Sequence, residues 1–375
     1  IPRPTGVLPL LMPEQDLSRY GTLPGVRPVM ISGVYRSATT FVAALLGSHP
    51  ALRASSSAVK YLRFCIDRYG DLTVAANRQQ LVSDCQRRLA TRWQLDLDAE
   101  TILRAIDRHL VGHPTQVCTD ALVYHQLMCH LHGIDPEAME VCWVDKTALQ
   151  WSSIPVFLAM FPEGRVVHVI RDPRDVTASY KQMTFEPGNT FLDAAFNCRS
   201  SMELDGQLTS EQRQRVCMLR IEDLSAAPAE GLEQLYGFLG LPYSDVLLNA
   251  DSFNAAGEDW RTNTSFDGSF KGWPKPGARW PTALSDLEVM FVELITQPYL
   301  SRYGYPSSGL VPSAQEWQGL HALLDSDFLQ QRFQRWFSEG AGSEGYRTNP
   351  VEHELRIVFP ERYGLTAQNQ EGEVS

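Results

Sequence analysis

The sequence predicts an α/β fold in which a P-loop-like parallel sheet is flanked by helices, with a helical insertion and a C-terminal extension. Three observations predict it: four short apolar runs have the length of buried strands, a polar loop follows each run, and a helix pattern follows each loop. The four runs are residues 28–32, 141–144, 165–170 and 216–219. Because helical crossovers join parallel strands, we expect ligands to bind at the carboxyl ends of these strands.

The first strand–loop–helix unit carries the most informative loop. Its strand ends at Gly33, and hydroxyl residues follow where a helix N-terminus favours them. The apolar stretch 39–46 then predicts a helix, which Gly47 and Pro50 end.

The other three units follow the same pattern. The second strand leads into Asp145, Lys146 and Thr147 and then a helix over 154–161. The third leads into Arg171, Asp172 and Pro173 and a helix through Tyr180, and the fourth leads through a polar loop at 222–224 into a helix over 230–239. Four such units favour one sheet covered on both faces.

Outside these units the chain divides into three further parts. Residues 1–26 read as an extended, proline-rich lead-in to a single domain over 27–310. Within that domain, residues 51–140 form a mostly helical insertion, with 71–89 and 99–110 as its clearest helices. Residues 311–375 form the C-terminal extension, of which 314–339 is amphipathic and 367–375 is polar and frayed.

Composition excludes several classes of partner. The 33 Lys and Arg residues are outnumbered by 44 Asp and Glu residues, for a formal net charge of −11, so the surface as a whole repels nucleic acid and anionic lipid. We therefore expect no nucleic-acid partner, and any anionic ligand must be held by a local pocket. No apolar run is long enough to span a membrane.

The cysteines bear on compartment and metal. There are seven, scattered and without CxxC spacing, so we expect neither a metal site nor a disulfide framework. A reducing compartment follows, and residues 1–25 lack the layout of a signal peptide, so the predicted localisation is cytoplasmic. Because the chain begins at Ile1 rather than methionine, this prediction leaves room for an upstream segment.

The loop from Gly33 to Thr40 lies where a phosphate-binding loop would lie. It nearly fits a Walker A pattern, but Ala38 replaces the second glycine and Thr39 the lysine, which removes the main support for nucleoside triphosphate and magnesium. Arg36 supplies positive charge instead. Two alternatives stay open: a helix simply capped by its own Ser and Thr side chains, and a P-loop kinase.

A second anion-binding element follows the third strand. Arg171 ends that strand, and Ser179 lies eight residues further on, in the helix that Asp172 and Pro173 open. A guanidinium fork and a hydroxyl can hold one phosphate between them. The alternative is an ion pair of Arg171 with Asp172 or Asp175. Both elements together favour a nucleotide with two separate anionic ends.

These segments resemble a known family. Residues 35–40 resemble the 5′-phosphosulfate loop of sulfotransferases that use 3′-phosphoadenosine 5′-phosphosulfate (PAPS), and residues 167–180 resemble their 3′-phosphate segment. Residues 145–147, 219–224 and 279–280 resemble the family's lysine motif, its late strand and turn, and a basic–aromatic pair. The likeness extends over about residues 27–305.

The resemblance implies a role for each matching residue. The 5′-phosphosulfate would be held by Arg36, Ser37, Thr39 and Thr40 with the backbone of Ala38. The 3′-phosphate would be held by Arg171 and Ser179, and Arg279 belongs to a late loop that closes over the nucleotide. Lys146 would lie beside the bridging oxygen, where charge grows as the S–O bond breaks. The acceptor would be a hydroxyl or amine of a small molecule or biosynthetic intermediate, and the product adenosine 3′,5′-bisphosphate.

Some positions depart from the family. Ala38 stands where glycine is usual, and neither usual base is present: Ala148 replaces a histidine, and Ser56 or Ser57 a glutamate. His125 is the substitute base we predict, although histidines of this kind are more often structural. The missing bases also leave open a sulfotransferase-like protein that binds nucleotide without catalysis. Metal binding by His125, Cys129 and His132 lacks a fourth ligand.

Overall fold

A parallel sheet of five strands forms the centre of the part of the chain that the structure describes. The structure is a computed structural model, and it describes residues 16–55, 59–137, 141–183, 190–249, 273, 278–339 and 350–364. The strands are β1 Val29–Gly33, β2 Leu52–Ser55, β3 Cys142–Lys146, β4 Arg165–Ile170 and β5 Val216–Arg220. Their order is β2-β3-β1-β4-β5, and every pairing is parallel. The predicted α/β fold class is confirmed.

Helices flank this sheet. They are α1 Thr39–Gly47, α2 Tyr61–Phe64, α3 Ala75–Trp93, α4 Ala99–Gly112, α5 Asp120–His132, α6 Ile154–Met160, α7 Pro173–Met183, α8 Asp193–Gln207, α9 Ser210–Gln214, α10 Ile221–Ala226, α11 Pro228–Leu239, α12 Trp280–Ala283, α13 Asp286–Thr296, α14 Tyr299–Arg302, α15 Ala314–Leu324, α16 Asp327–Glu339 and α17 Pro350–Val358. Short 3-10 turns lie at Leu17–Tyr20, Trp151–Ser153, Thr190–Leu192, Asp245–Asn249 and Pro360–Tyr363. Within the described ranges, no helix combines the length and apolar character that a membrane crossing needs.

The sheet register brings the ends of the central strands together. Ile31 on β1 lies opposite both Lys146 on β3 and Val167 on β4, and Gly33 lies opposite Val169. The chain therefore leaves β1, β3 and β4 at one edge of the sheet. The predicted ligand loops start from this edge.

Both faces of the sheet are buried, which explains the nearly continuous apolar runs of the strands. On one face, Ile31, Val144 and Val167 pack with Leu45 of α1 and Leu232 of α11. The opposite face carries Met30, Trp143 and Val166, which pack with residues of α5 and α6. The alternation follows from the two-residue period of a strand.

The segment predicted as a helical insertion differs from the prediction at its start. Residues 52–55 form the edge strand β2 before the helices begin, with Leu52 opposite Cys142 and Ser55 opposite Asp145. Four residues give too short a pattern to identify a strand, and pairing with β3 decides it. The helix predicted from residue 71 begins at Ala75 instead, because the Asp71 carboxylate accepts the Thr73 N–H in a turn before it. The fourth predicted strand, which is β5, leads directly into the short helix α10, where the sequence analysis placed a polar loop.

The described parts of 311–375 pack back onto the domain. Helix α15 contacts α13, and α17 contacts α3 of the insertion. The Phe333 ring of α16 lies 5.1 Å from that of Phe196, and Phe359 is almost wholly buried. This segment thus extends the same hydrophobic core.

Candidate functional site

The loop between β1 and α1 starts at a glycine that the sheet requires. Gly33 has φ +142°, and a Cβ built there would lie 2.6 Å from the Val169 carbonyl oxygen of β4. A larger residue would therefore push β1 away from β4. This close approach places the loop directly above the central strands.

Two residues of the loop adopt left-handed backbone conformations. Arg36 has φ 71° and Ala38 has φ 69°, a region that glycine enters without strain. Ala38 also occupies the N-cap of α1, where no side chain caps the helix. Alanine at position 38 thus adopts the left-handed conformation that glycine favours, and the N-cap residue itself provides no side-chain cap for α1.

We expect Ala38→Gly to stabilise the fold by about 1 kcal/mol, because it removes the clash between Cβ and the backbone in the left-handed region. Denaturant unfolding measures the free-energy change. Ala43→Gly, in the middle of the same helix, is the matched control and should be destabilising by about 1 kcal/mol. If Ala38→Gly were destabilising like its control, the loop would not hold this conformation in solution.

The end of β3 reaches the N-terminus of α1. The ammonium of Lys146 donates to the Thr40 hydroxyl oxygen over 2.8 Å. Burial lowers the pKa of Lys146 to about 7, with the positive charges of Lys60 and Arg36 acting in the same direction and Asp145 opposing them. A lysine with a pKa near 7 is only partly protonated at neutral pH. An anionic ligand bound at the helix N-terminus would favour its protonated form.

The two predicted anion-binding elements form one cluster. Arg36 Nε donates to the Ser179 hydroxyl oxygen over 3.0 Å, and Arg171 donates to the Arg36 carbonyl oxygen over 2.9 Å. Arg171 also lies 3.7 Å from the Asp175 carboxylate, so the alternative ion pair exists beside the loop contact. Residues 36, 171 and 179 thus meet although they are far apart in the chain.

This cluster brings several positive charges close to Arg36. Burial lowers the pKa of the Arg36 guanidinium to about 10, with the nearby charges of Arg171 and Arg279 acting in the same direction. A partly buried guanidinium whose pKa is lowered by neighbouring cations is a candidate for anion binding. A bound phosphate would relieve the repulsion.

The segment at Arg279 is tied to α7. One Asp175 carboxylate oxygen accepts the backbone N–H groups of Arg279, over 2.8 Å, and Trp280, over 3.0 Å. The Arg279 side chain is exposed. The resemblance also places Asn263, Ser265, Lys271 and Gly272 in this late loop, and they lie outside the described residues, as do Ser56 and Ser57.

A buried ion-pair network fixes the turn after Arg171, and the sequence analysis did not find it. Arg174 is 1% exposed, donates to Asp172 and to Glu293, and lies 4.3 Å from the Trp280 ring centroid. Glu222, at the start of α10, accepts the Asp172 N–H over 2.9 Å. The repeated Arg and Asp of 171–175 were the available signal, but the sequence analysis considered ion pairs there only for Arg171 and not for Arg174.

The structure does not bring His125 to this site. Its Nδ1 accepts from the Trp143 indole over 3.1 Å, and its Nε2 lies 3.4 Å from the Pro136 carbonyl oxygen. Trp143 and Lys146 are three residues apart on β3, so their side chains point to opposite faces of the sheet. His125, which contacts Trp143, therefore lies on the face away from Lys146. Burial lowers the His125 pKa to about 4. Its choice as catalytic base is corrected: the ring is a packed core histidine.

The structure places the side chains of Cys129 and His125 next to each other. The Cys129 sulfur lies 3.5 Å from His125 Nε2. Among the described residues, no group of three His, Cys, Asp or Glu side chains is placed to hold a metal ion.

The fold and the site define a protein with a phosphate-type loop at the carboxyl edge of a parallel sheet. A model of the sulfotransferase family matches residues 28–245, more than half of the chain. The chain belongs to the sulfotransferase family, which confirms the resemblance seen in the sequence.

Individual relatives are distant. An uncharacterized protein of Aquifex aeolicus is 24% identical over 235 residues, which are 60% of this chain and 27% of that protein. The chain thus spans about a quarter of that relative's length.

The solved structures that are similar to this chain include the following three. The sulfotransferase domain of the Synechococcus PCC 7002 olefin synthase is 17% identical, covers 78% of this chain and 96% of its own, and has a TM-score of 0.48. A sulfotransferase of Mycobacterium avium is 16% identical over 77% of this chain and 79% of its own, with a TM-score of 0.42. Retinol dehydratase with androsterone and the inactive cofactor PAP is 15% identical over 79% and 86%, with a TM-score of 0.37.

Proposed function

We propose that this protein is a PAPS-dependent sulfotransferase that transfers a sulfuryl group to a hydroxyl or amine of a small-molecule or biosynthetic-intermediate acceptor. One observation carries the proposal: Arg36, in the first loop, contacts both Arg171 and Ser179, more than 130 residues further along the chain. Family membership supports the same reading. The two elements that the resemblance assigns to opposite ends of one nucleotide are therefore adjacent.

The residues present fit such a nucleotide. Arg36, Ser37, Thr39 and Thr40, with the Ala38 backbone, would hold the 5′-phosphosulfate at the α1 N-terminus, where helix polarity favours anions. Arg171 and Ser179 would hold the 3′-phosphate, with Arg279 near the same cluster. PAPS supplies the sulfuryl group and leaves as adenosine 3′,5′-bisphosphate.

Lys146 is assigned the electrostatic role in the transfer. In an in-line displacement the acceptor oxygen or nitrogen would bond to sulfur as the bond to the phosphate oxygen breaks, and negative charge would appear on that oxygen. The proton of the acceptor hydroxyl or amine would pass to solvent. Protonated Lys146, fixed by Thr40, would stabilise this charge more than it stabilises the bound reactant. His125 is left out of the step because both of its ring nitrogens are engaged in the core.

Two measurements test the proposal. Calorimetric titration with adenosine 3′,5′-bisphosphate should show tight binding, and labelled PAPS should pass its sulfuryl group to at least one compound of a panel of alcohols, phenols and amines. Tight binding without transfer to any acceptor would favour the non-catalytic nucleotide-binding protein. Magnesium-dependent ATP binding that displaces the bisphosphate would contradict the proposal in favour of a kinase.

The Lys146 pKa predicts how binding depends on pH. Lys146 is mostly protonated below about pH 7 and attracts the 5′-phosphate, so affinity for the bisphosphate should fall as the pH rises from about 7 toward 9. Phosphates titrate near pH 6, so they stay ionised over this range. At about pH 8, binding should also take up protons, visible as a dependence of the binding enthalpy on the buffer. In Lys146→Met both the pH dependence of affinity and the proton uptake should shrink. If neither changed, a group other than Lys146 would cause them.

A further inference from the structure

In the described part of the chain, three ion pairs join the C-terminal segment 350–364 to helix α3. Arg362 pairs with Asp84 over 2.6 Å, and the other two pairs, at Arg87 and Arg88, differ in burial. Arg88 pairs with Glu354 over 3.1 Å, with side-chain exposures of 2% and 13%. One residue earlier, Arg87 pairs with Glu361, with exposures of 46% and 54%. Exposed pairs contribute little, whereas a buried cation depends on its partners. Neighbouring residues thus provide a critical pair and a matched control.

Arg88 has further contacts on the side of α3 that faces the domain. Its guanidinium donates to the Val59 carbonyl oxygen and lies 4.4 Å from the Phe64 ring centroid. Val59 is fully buried and is followed by Lys60, whose φ of 45° is left-handed and which caps the start of α2. Arg88 therefore fixes the backbone at the point where α2 begins.

Helix α2 in turn borders the transfer site. Arg63 donates to the Tyr35 hydroxyl oxygen over 2.9 Å, and Tyr35 precedes Arg36 in the first loop. The Lys60 ammonium lies 5.5 Å from the ring centroid of Trp93, the last residue of α3, and its charge acts on Lys146. Helix α3 thus holds Lys60 in two ways: Arg88 contacts the backbone of the preceding residue, Val59, and Trp93 contacts the Lys60 side chain.

We propose that Arg88 is a positioning residue of the transfer site and that Glu354, by neutralising it, makes the C-terminal segment part of the catalytic domain. Arg88 sets the position of Lys60, and the Lys60 charge adds to the effect of burial on Lys146. The inference rests on the proposed function, since it assigns a purpose to the geometry around Lys146.

The test uses the pH at which bisphosphate affinity begins to fall, which reports the Lys146 pKa in the free protein. The charged groups facing Lys146 are Lys60 of α2, Arg36 of the loop and Asp145 of its own strand. Glu354→Gln should release Lys60 and move this pH upward by roughly half a unit, because a repelling charge recedes. Simple removal of the Glu354 charge would move it the other way, so the sign separates positioning from long-range electrostatics. Arg87→Gln should leave the profile unchanged.

The outcomes are distinct. Arg88→Met should show the same upward shift, but if it fails to fold, Glu354→Gln, checked by circular dichroism, decides the question. A folded Glu354→Gln variant with the wild-type profile, or with a downward shift, would overturn the inference.

A nucleotide-free readout separates this failure from failure of the proposed function. Hydrogen exchange of peptides covering 59–64 should become faster in Glu354→Gln and not in Arg87→Gln. Wild-type protein that binds no bisphosphate would contradict the proposed function, and the exchange rates would still test the role of Arg88. Unchanged exchange in Glu354→Gln overturns the inference whichever way the binding experiment comes out.

Discussion

Lys146→Met is expected to lower turnover about 10²–10³-fold, the effect typical of removing one preorganised group from developing oxyanion charge. Affinity for adenosine 3′,5′-bisphosphate should fall by a smaller factor, because the charge that Lys146 opposes grows only as the S–O bond breaks. Single-turnover kinetics with labelled PAPS and the best acceptor of the panel measure the first quantity, and calorimetry the second.

The control for Lys146 is Lys181→Met. Lys181 is an exposed lysine of α7 that pairs with Glu288 over 2.7 Å, so its loss should leave turnover near that of the wild type. If Lys146→Met lowered turnover and affinity equally, Lys146 would position the nucleotide rather than stabilise the transition state.

Arg171→Ala is expected to weaken bisphosphate binding by about 2–5 kcal/mol, as when one member of a desolvated charge pair is truncated. The guanidinium is the proposed partner of the 3′-phosphate, and it also supports the first loop through the Arg36 carbonyl oxygen. Calorimetry at fixed salt measures the change, with a denaturation curve to show that the variant is folded.

Arg104→Ala is the matched control for Arg171. Arg104 pairs with Glu100 on the exposed face of α4, with side-chain exposures of 59% and 79%, so its removal should not alter affinity. Wild-type affinity in the Arg171 variant would mean that the 3′-phosphate lies elsewhere.

Much of the site was predictable because it depends on strand ends. Gly33, Lys146 and Arg171 each end or follow a strand that a short apolar run identifies, and parallel strands meet at one edge of a sheet. The convergence of Arg36 with Arg171 follows from this topology alone. The strand β2 escaped detection because its four residues carry almost no pattern of their own.

The wrong predictions concern residues whose roles depend on which helices and side chains pack against them. His125 is near Lys146 in sequence terms, one helix before its strand, but α5 packs on the face of the sheet that carries Trp143. Arg174 belongs to the same charged run as Arg171, yet contacts with Asp172, Glu293 and Trp280 make it structural. Spacing alone could not distinguish these two arginines.

The sequence by itself determined the strand–loop–helix units, the parallel direction of their strands and the cations at the strand ends. These features could be predicted because hydrophobic period and loop composition are local properties of the chain. Only the tertiary structure decided the face to which His125 points, the burial of Arg174, and the pairing of Arg88 with Glu354 across 266 positions. Those outcomes depend on which helices pack together, and packing is settled by the fit of whole surfaces, which no short stretch of residues encodes.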